Sequence, residues 1–496
     1  MVEAMEVLST ALSLLLALAA APAAPAAPGK GKVVSITTSS PEAAAAFLRG
    51  REQYENRHLA GAEAEFRRAL ALDPHFPSAL SYLGVQVGGA EGLALARKAA
   101  AEAGALPAPE KLLIRSHVEV LEGKPKEARA SLRDASALVP DDWHLLYYIG
   151  RLAGLDRLTN LALVSLKRAV QINPGAAPAW NNLGYMLANQ GDLDGAIGAL
   201  QTYERLLPTD PNPPDSLAEI YMRAGKLDEA EKAYLRSAER APDATLAFLG
   251  LANVRLLRRD YDGGRQAADK ARSIGSSLIE KQQAERLIAW AYMAEGRSGD
   301  ALKSIQETGA RARKAGATFP ALLAAISEAR MRVDSGDAAG GLLRAREALA
   351  PDQLAKLAGD QVSTVTRRAQ LAVFLAALKL DHAAEAKAAA GEIQRMHEQF
   401  PESNDLLVWS HFVKGMLALQ AHEPRGAIAE LSRCGDGDAY CAWKLSEAQQ
   451  AAGDPAAAAA TRADLLQRNN AEQVYLDAEP LLIFVRGRLA APLTYH

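Results

Sequence analysis

Residues 174 to 208 read PGAAPAWNNLGYMLANQGDLDGAIGALQTYERLLP, and this stretch decides the fold. Apolar and small residues recur at helical spacing on both sides of Gly191-Asp192. The stretch is therefore two short amphipathic helices joined by a tight turn and closed by a proline. The same punctuation repeats: Pro140, Pro174, Pro208 and Pro242 lie 34 residues apart. Gly150, Gly184, Ala218 and Ala252 keep that step, as do Ala128, Ala162, Ala196 and Ala230. A fixed period of this size marks stacked helical hairpins, each burying its apolar face only against its neighbours. The expected fold is all-α, a solenoid of antiparallel helix hairpins.

Working outward, Ser40-Pro41-Glu42 is a helix start, with proline inside the first turn. The first unit carries Phe47, Gly50 and Tyr54 on one helix and Ala62, Phe66 and Ala69 on the next, ending at Pro74. Pro140 lies 66 residues beyond Pro74, two short of a double period, and Gly88-Gly89 is the expected site of a compressed turn. Beyond Pro242 the period fades. Leu251, Ala252, Gly264 and Ala271 fit one more unit, with Gly275 in place of the closing proline. Ala289, Tyr292, Gly296 and Ala301 fit another, and Ala329, Gly336, Gly341 and Ala348 a looser one. Residues 364–400 hold two helical stretches without a clear turn glycine. Gly415, Ala427 and Leu431, then Leu445, Ser446, Gly453 and Ala458, restore the pattern. The expected organisation is a leader (1–28), a polar tether (29–42), a regular array (43–275), degenerate repeats (276–404), C-terminal repeats (405–470) and a capping tail (471–496). About twelve hairpins result. The tail holds the apolar run Leu481 to Val485, read as a cover for the last hairpin or else a docking segment.

These residues resemble the tetratricopeptide repeat. Trp180, Leu183 and Gly184 match the W-x-x-L-G pattern of that family, and GDLDGA at Gly191 and GKLDEA at Gly225 match its glycine turn followed by alanine. The resemblance implies a right-handed superhelix whose concave wall is lined by the first helix of each hairpin. It also implies a non-enzymatic adaptor holding a protein or peptide segment in that groove. Each slot has a mechanical reason. A glycine or alanine of the first helix faces an alanine of the second so that the axes approach closely, and Trp180 and Leu200 fill the space between hairpins. The turn glycine supplies positive φ, a nearby aspartate caps the next helix, and the proline sets an extended link. Helical spacing then leaves Tyr147, Arg151, Asn181, Tyr185, Asn189, Asp215, Glu219, Arg223, Asn253 and Trp290 for the concave face. Asparagine offers a donor and an acceptor to a peptide backbone, and tyrosine offers rigid area with a polar edge. Some relatives clamp a C-terminal carboxylate with lysine and asparagine. Here Asn181 fits one such slot, but Tyr147 and Asp215 stand where basic partners belong.

Composition agrees with closely packed helices. Aromatic residues are 5% of the 496, charged residues 23%, and 56 basic against 59 acidic side chains leave a net charge of −3. That balance lacks the cationic footprint of a nucleic-acid binder. The first 28 residues resemble a secretory signal peptide: the apolar run Leu8 to Leu18 precedes Ala/Pro repeats, although Glu3 and Glu6 stand where basic residues belong. Export to a periplasmic or secreted setting is the expectation, with no membrane span in the mature chain. Cys434 and Cys441 flank a turn, and their spacing allows either a disulfide or two buried thiols. No catalytic, metal or cofactor motif is recognised: Met396-His397-Glu398 lacks a second histidine one turn on, and Gly29-Lys30-Gly31-Lys32 lacks phosphate-loop spacing. The expected partner is thus a protein or peptide. The alternative is a structural subunit of a cell-envelope assembly, associating through the C-terminal half.

Overall fold

Leucine- and alanine-rich segments, opened by proline or aspartate, form twenty-six α-helices in the described residues of the computed structural model. Those residues are 33–401, 403–434, 438–469 and 481–490, and no strand occurs among them. The leader-like segment lies outside them. The chain divides into two compact units at Pro208/Thr209, a closing proline of the regular period.

The first unit contains five hairpins: α1 (Pro41–Glu55) with α2 (Leu59–Leu72), α3 (Pro77–Val87) with α4 (Gly89–Glu102), α5 (Ala108–Leu121) with α6 (Pro125–Leu138), α7 (Trp143–Leu155) with α8 (Thr159–Ile172), and α9 (Ala177–Asn189) with α10 (Leu193–Leu206). The second contains seven: α11 (Asn212–Arg223) with α12 (Leu227–Arg240), α13 (Thr245–Leu257) with α14 (Tyr261–Ile274), α15 (Leu278–Ala294) with α16 (Ser298–Lys314), and α17 (Thr318–Asp334) with α18 (Ala338–Ala348). After the single turn α19 (Pro351–Leu354) come α20 (Gly359–Lys379) with α21 (Ala383–Gln399), α22 (Asn404–Gln420) with α23 (Pro424–Leu431), and α24 (Ala439–Ala451) with α25 (Pro455–Gln467). The last helix, α26 (Leu481–Ala490), has no hairpin partner.

The turns explain the period. Gly123, Gly191 and Gly225 end first helices with φ of 71°, 86° and 72°. Arg157 and Arg259 occupy the same slot at 57° and 63°, so the geometry persists where the glycine does not. Ahead of the closing prolines, Val139, Asn173, Leu207 and Ala241 have ψ between 69° and 95°, because proline pushes its predecessor out of the helical region. Asp192 caps α10 by accepting from the Gly195 amide at 2.9 Å. Gly88 and Gly89 compress the α3–α4 turn, with φ of 70° and 57°, which accounts for the missing residues in the double period.

Two packing expectations change. Gly184 faces mainly the leucine four positions beyond the expected alanine: a Cβ there would sit 2.7 Å from Leu200 Cγ, with the Ala196 carbonyl at 3.4 Å. Gly150 stands likewise against Leu166. Trp180 is only half-buried, and its indole N–H donates to the Pro174 carbonyl at 2.9 Å, fastening the helix to the preceding link. Past Ser277 the period fades for a simple reason. α15, α16 and α17 are 17 residues long and α20 is 21, against 13 for α7 and α9, so each long helix gains about one turn or more and the hairpins persist.

Candidate binding surface

In the first unit the inner helices bury a polar-aromatic network that the sequence pattern did not isolate. Tyr82 and Tyr148 share a hydrogen bond at 3.0 Å, and the Tyr148 hydroxyl donates to Glu55 at 2.5 Å. Arg151 stands over the rings of Tyr54 and Tyr148 and donates to the Tyr54 hydroxyl at 3.2 Å. Burial, aided by Glu55, holds the Tyr148 phenol protonated well above its ordinary range. His117 packs edge-on against Tyr82 at 4.7 Å, and burial with nearby Arg151 pushes its imidazole down to about 3. It is a neutral ring in a closed network. Tyr147, expected on the open face, is 2% exposed and packs on Tyr148. Adjacent tyrosines on one helix point about 100° apart, and the pattern alone did not fix which faces outward.

The described part of the stretch read as a polar tether is hydrogen-bonded to the array. Residues 33–40 are non-helical, and the Val34 amide donates to Asp142 at 2.8 Å. Thr37 gives its amide and hydroxyl to Glu110, at 3.2 and 2.6 Å, and the Thr38 hydroxyl donates to Asp73 at 2.5 Å. Glu110 is fully buried and takes a further bond from Ser78. Asp142 and Glu110 stand at the starts of α7 and α5, and Asp73 caps the end of α2, so the segment runs past three hairpins.

On α9 the stripe Asn181, Tyr185 and Asn189 follows the i, i+4, i+8 spacing of one helical face. Asn181 and Tyr185 are half-buried and Asn189 is exposed. The Asn181 side-chain oxygen is buried and has no hydrogen-bond partner among the described residues. A buried acceptor left unpaired costs about 1–3 kcal/mol, which an incoming N–H would recover.

In the second unit, α11 carries Asp215, Glu219 and Arg223 at the same spacing, all half-buried. Burial, with Glu219 one turn away, pushes the Asp215 carboxyl up to about 7. Two expected groove residues are not on an open surface: Asn253 is 2% exposed and Trp290 fully buried. The reason for Trp290 is α26. Phe484 of that helix meets the Trp290 ring at 5.4 Å, and Leu482, Ile483, Phe484 and Val485 are at most 4% exposed. The tail reaches back to α15 as well as touching α24 and α25. Further along, Cys434 and Cys441 are joined by a disulfide with Cα atoms 6.5 Å apart.

Among the described residues no cluster of His, Cys, Asp and Glu is arranged to hold a metal. No helix there is long and apolar enough to cross a membrane. The fold and these inner faces define an α-solenoid of the kind that serves as an interaction scaffold.

The tetratricopeptide-repeat sequence profile matches residues 159–211 and 216–278. Those two stretches are tetratricopeptide repeats, and such repeats support a protein–protein interaction scaffold of a fold family that is typically non-enzymatic. No curated protein matches the chain. Among solved structures it is similar to a tetratricopeptide repeat protein from Parabacteroides merdae, at 16% identity over 54% of this chain and 98% of the other, with a TM-score of 0.40. It is also similar to PilW, a type IV pilus biogenesis factor, at 18% identity over 42% of this chain and 94% of the other, with a TM-score of 0.37. A third is a thermophilic tetratricopeptide-repeat protein from Thermus thermophilus, at 23% identity, 43% and 99% coverage and a TM-score of 0.29. At such scores the likeness says nothing of function.

Proposed function

We propose that this protein is a non-enzymatic adaptor that holds an extended segment of a partner protein along α9, against Asn181, Tyr185 and Asn189. The observation that carries the reading is the buried, unpaired Asn181 oxygen on a stripe that is otherwise half-open. A backbone amide supplies the missing donor, Tyr185 contributes flat area, and Asn189 hydrogen-bonds at the wet end. Arg151, on α7, is proposed as a further contact within the first unit, and the α11 stripe of Asp215, Glu219 and Arg223 as a separate contact belonging to the second unit alone. We place the protein in a periplasmic or secreted setting. The leader-like residues 1–28 and a disulfide of the kind that persists where thiols are oxidised support this.

The test replaces Asn181, Tyr185 and Asn189 together with alanine and repeats partner capture from the native envelope fraction. Recovery of the partner is expected to fall at least about tenfold, the equivalent of 1.4 kcal/mol, with helicity by circular dichroism unchanged. Undiminished recovery by a folded variant removes α9 as the site. The alternative is an envelope subunit assembling through its C-terminal half together with the Leu481 to Val485 tail. Four of those five tail side chains are buried within the second unit, so that reading rests on the surfaces of the C-terminal repeats.

A further inference from the structure

In the second unit α18 is shorter than the helices around it. It has 11 residues against 17 in both α16 and α17. At 1.5 Å per residue, the shortfall leaves about 9 Å at the start of α17 without its hairpin partner. The connector that follows, residues 349–358, does not make good the loss. Its Leu354 and Leu357 pack with Leu322, Ile326 and Ala348 in a small apolar cluster. Ala350, Gln353 and Lys356 recur at three-residue spacing in the same turns, which directs them to another side.

A cavity of about 490 Å³ remains between this connector and α16, α17 and α18. Its floor is made by Ala321, Leu322, Ala325 and Ala348, all buried. Three cations line it, one from each flanking element: Arg313 of α16, Arg344 of α18 and Lys356 of the connector. Arg313 and Lys356 are exposed, and Arg313 and Arg344 also border a neighbouring groove of about 630 Å³, so the cavity opens to solvent. Glu347 is the one carboxylate lining it among the described residues, and it accepts from Arg344. Glu328 accepts from Arg344 Nε at 2.8 Å. The Arg313 side chain makes no hydrogen bond or ion pair among the described residues. Lys356 reaches only the Gln353 side-chain oxygen at 3.4 Å and Asp352 at 3.9 Å. Positive charge is thus in excess above an apolar floor, in a space of the size that small-molecule sites occupy.

We propose that this cavity binds a small amphipathic anion, a carboxylate on an apolar chain or ring, with its apolar body on the α17 floor and its charge among Arg313, Arg344 and Lys356. The two parts discriminate separately. The floor offers no polar side chain, so burying a polar body there costs free energy. The mouth favours a single negative charge: the Arg313 guanidinium carries a two-pronged donor edge that matches a carboxylate, and Lys356 adds a point charge. A neutral molecule of the same shape gains the floor alone. The site belongs to the second unit and uses no residue of α9, so it goes beyond the adaptor reading and is tested apart from it.

In the experiment, octanoate and its neutral counterpart octan-1-ol are titrated separately into the full chain by isothermal calorimetry. Octanoate is expected to bind saturably, with a dissociation constant of about 1 mM or below, and octan-1-ol at least about tenfold more weakly. Arg313→Gln combined with Lys356→Gln is expected to bring octanoate down to the level of the alcohol, and added salt to narrow the gap in the parent. Ala321→Leu places a larger side chain in the cavity and is expected to abolish binding of both. A lack of saturable octanoate binding overturns the proposal. So does equal binding of the alcohol, or undiminished octanoate binding by the double variant. Should Ala321→Leu unfold by circular dichroism, the double variant decides, since both of its positions are exposed.

Discussion

Arg157 and Arg259 show how much a single position is set by its neighbours. They hold φ of 57° and 63° where adjoining repeats place glycine, a conformation costing a side-chain-bearing residue about 1–2 kcal/mol. Arg157 is exposed, so Arg157→Gly is expected to stabilise the protein by about 0.5–1 kcal/mol once the greater freedom of glycine in the unfolded chain is subtracted. Urea unfolding checks it, and a loss of stability would mean the arginine side chain holds the turn. Asp215 gives a pH signature instead. Its folded carboxyl keeps a proton up to about pH 7, whereas an unfolded aspartate releases it near 3.9. The folded state binds more protons in that window, so stability falls as pH rises through it, by at most about 4 kcal/mol. Asp215→Asn removes the effect. The variant is expected to match the parent below pH 4 and exceed it at pH 8, and an equal difference at both pH values contradicts the assignment. Neither residue's behaviour was legible beforehand: a positive φ and a raised pKa arise from surroundings that a residue's type does not encode.

At the scale of elements, the hairpins were readable because glycine, proline and small residues recur for steric reasons that hold wherever the repeat occurs. Where helices lengthen, as in α15 to α17, the spacing drifts and the pattern weakens although the architecture does not. The Cys434–Cys441 bond belongs to this scale, since it ties the end of the α22–α23 hairpin to the start of α24. Closing so short a loop contributes about 2.5 kcal/mol on a chain-entropy account. Replacing both cysteines with serine is expected to lower the unfolding free energy by roughly 2 kcal/mol. Reductant should do the same to the parent and nothing to the variant. If reductant leaves the parent unmoved, the bond is not stabilising the native state. The sequence left this pairing open because spacing allows a bond without requiring one.

Across the whole molecule, two surfaces invite separate tests. The α9 triple variant is expected to lose its captured partner while still binding octanoate as the parent does; joint loss would instead signal a general folding defect. The sequence by itself determined the all-α architecture, the hairpin count and the repeat family. A 34-residue period can be satisfied only by units that bury their faces against one another, and each slot has its own local steric cause. Tertiary structure alone decided which inner-face residues are open. Tyr147 turned inward, Trp290 lies beneath Phe484, and residues 33–38 are fastened to Asp73, Glu110 and Asp142. Those outcomes depend on segments that lie far apart along the chain and carry no repeat. Burial is a property of whatever happens to pack on a face, and no period in the chain records it.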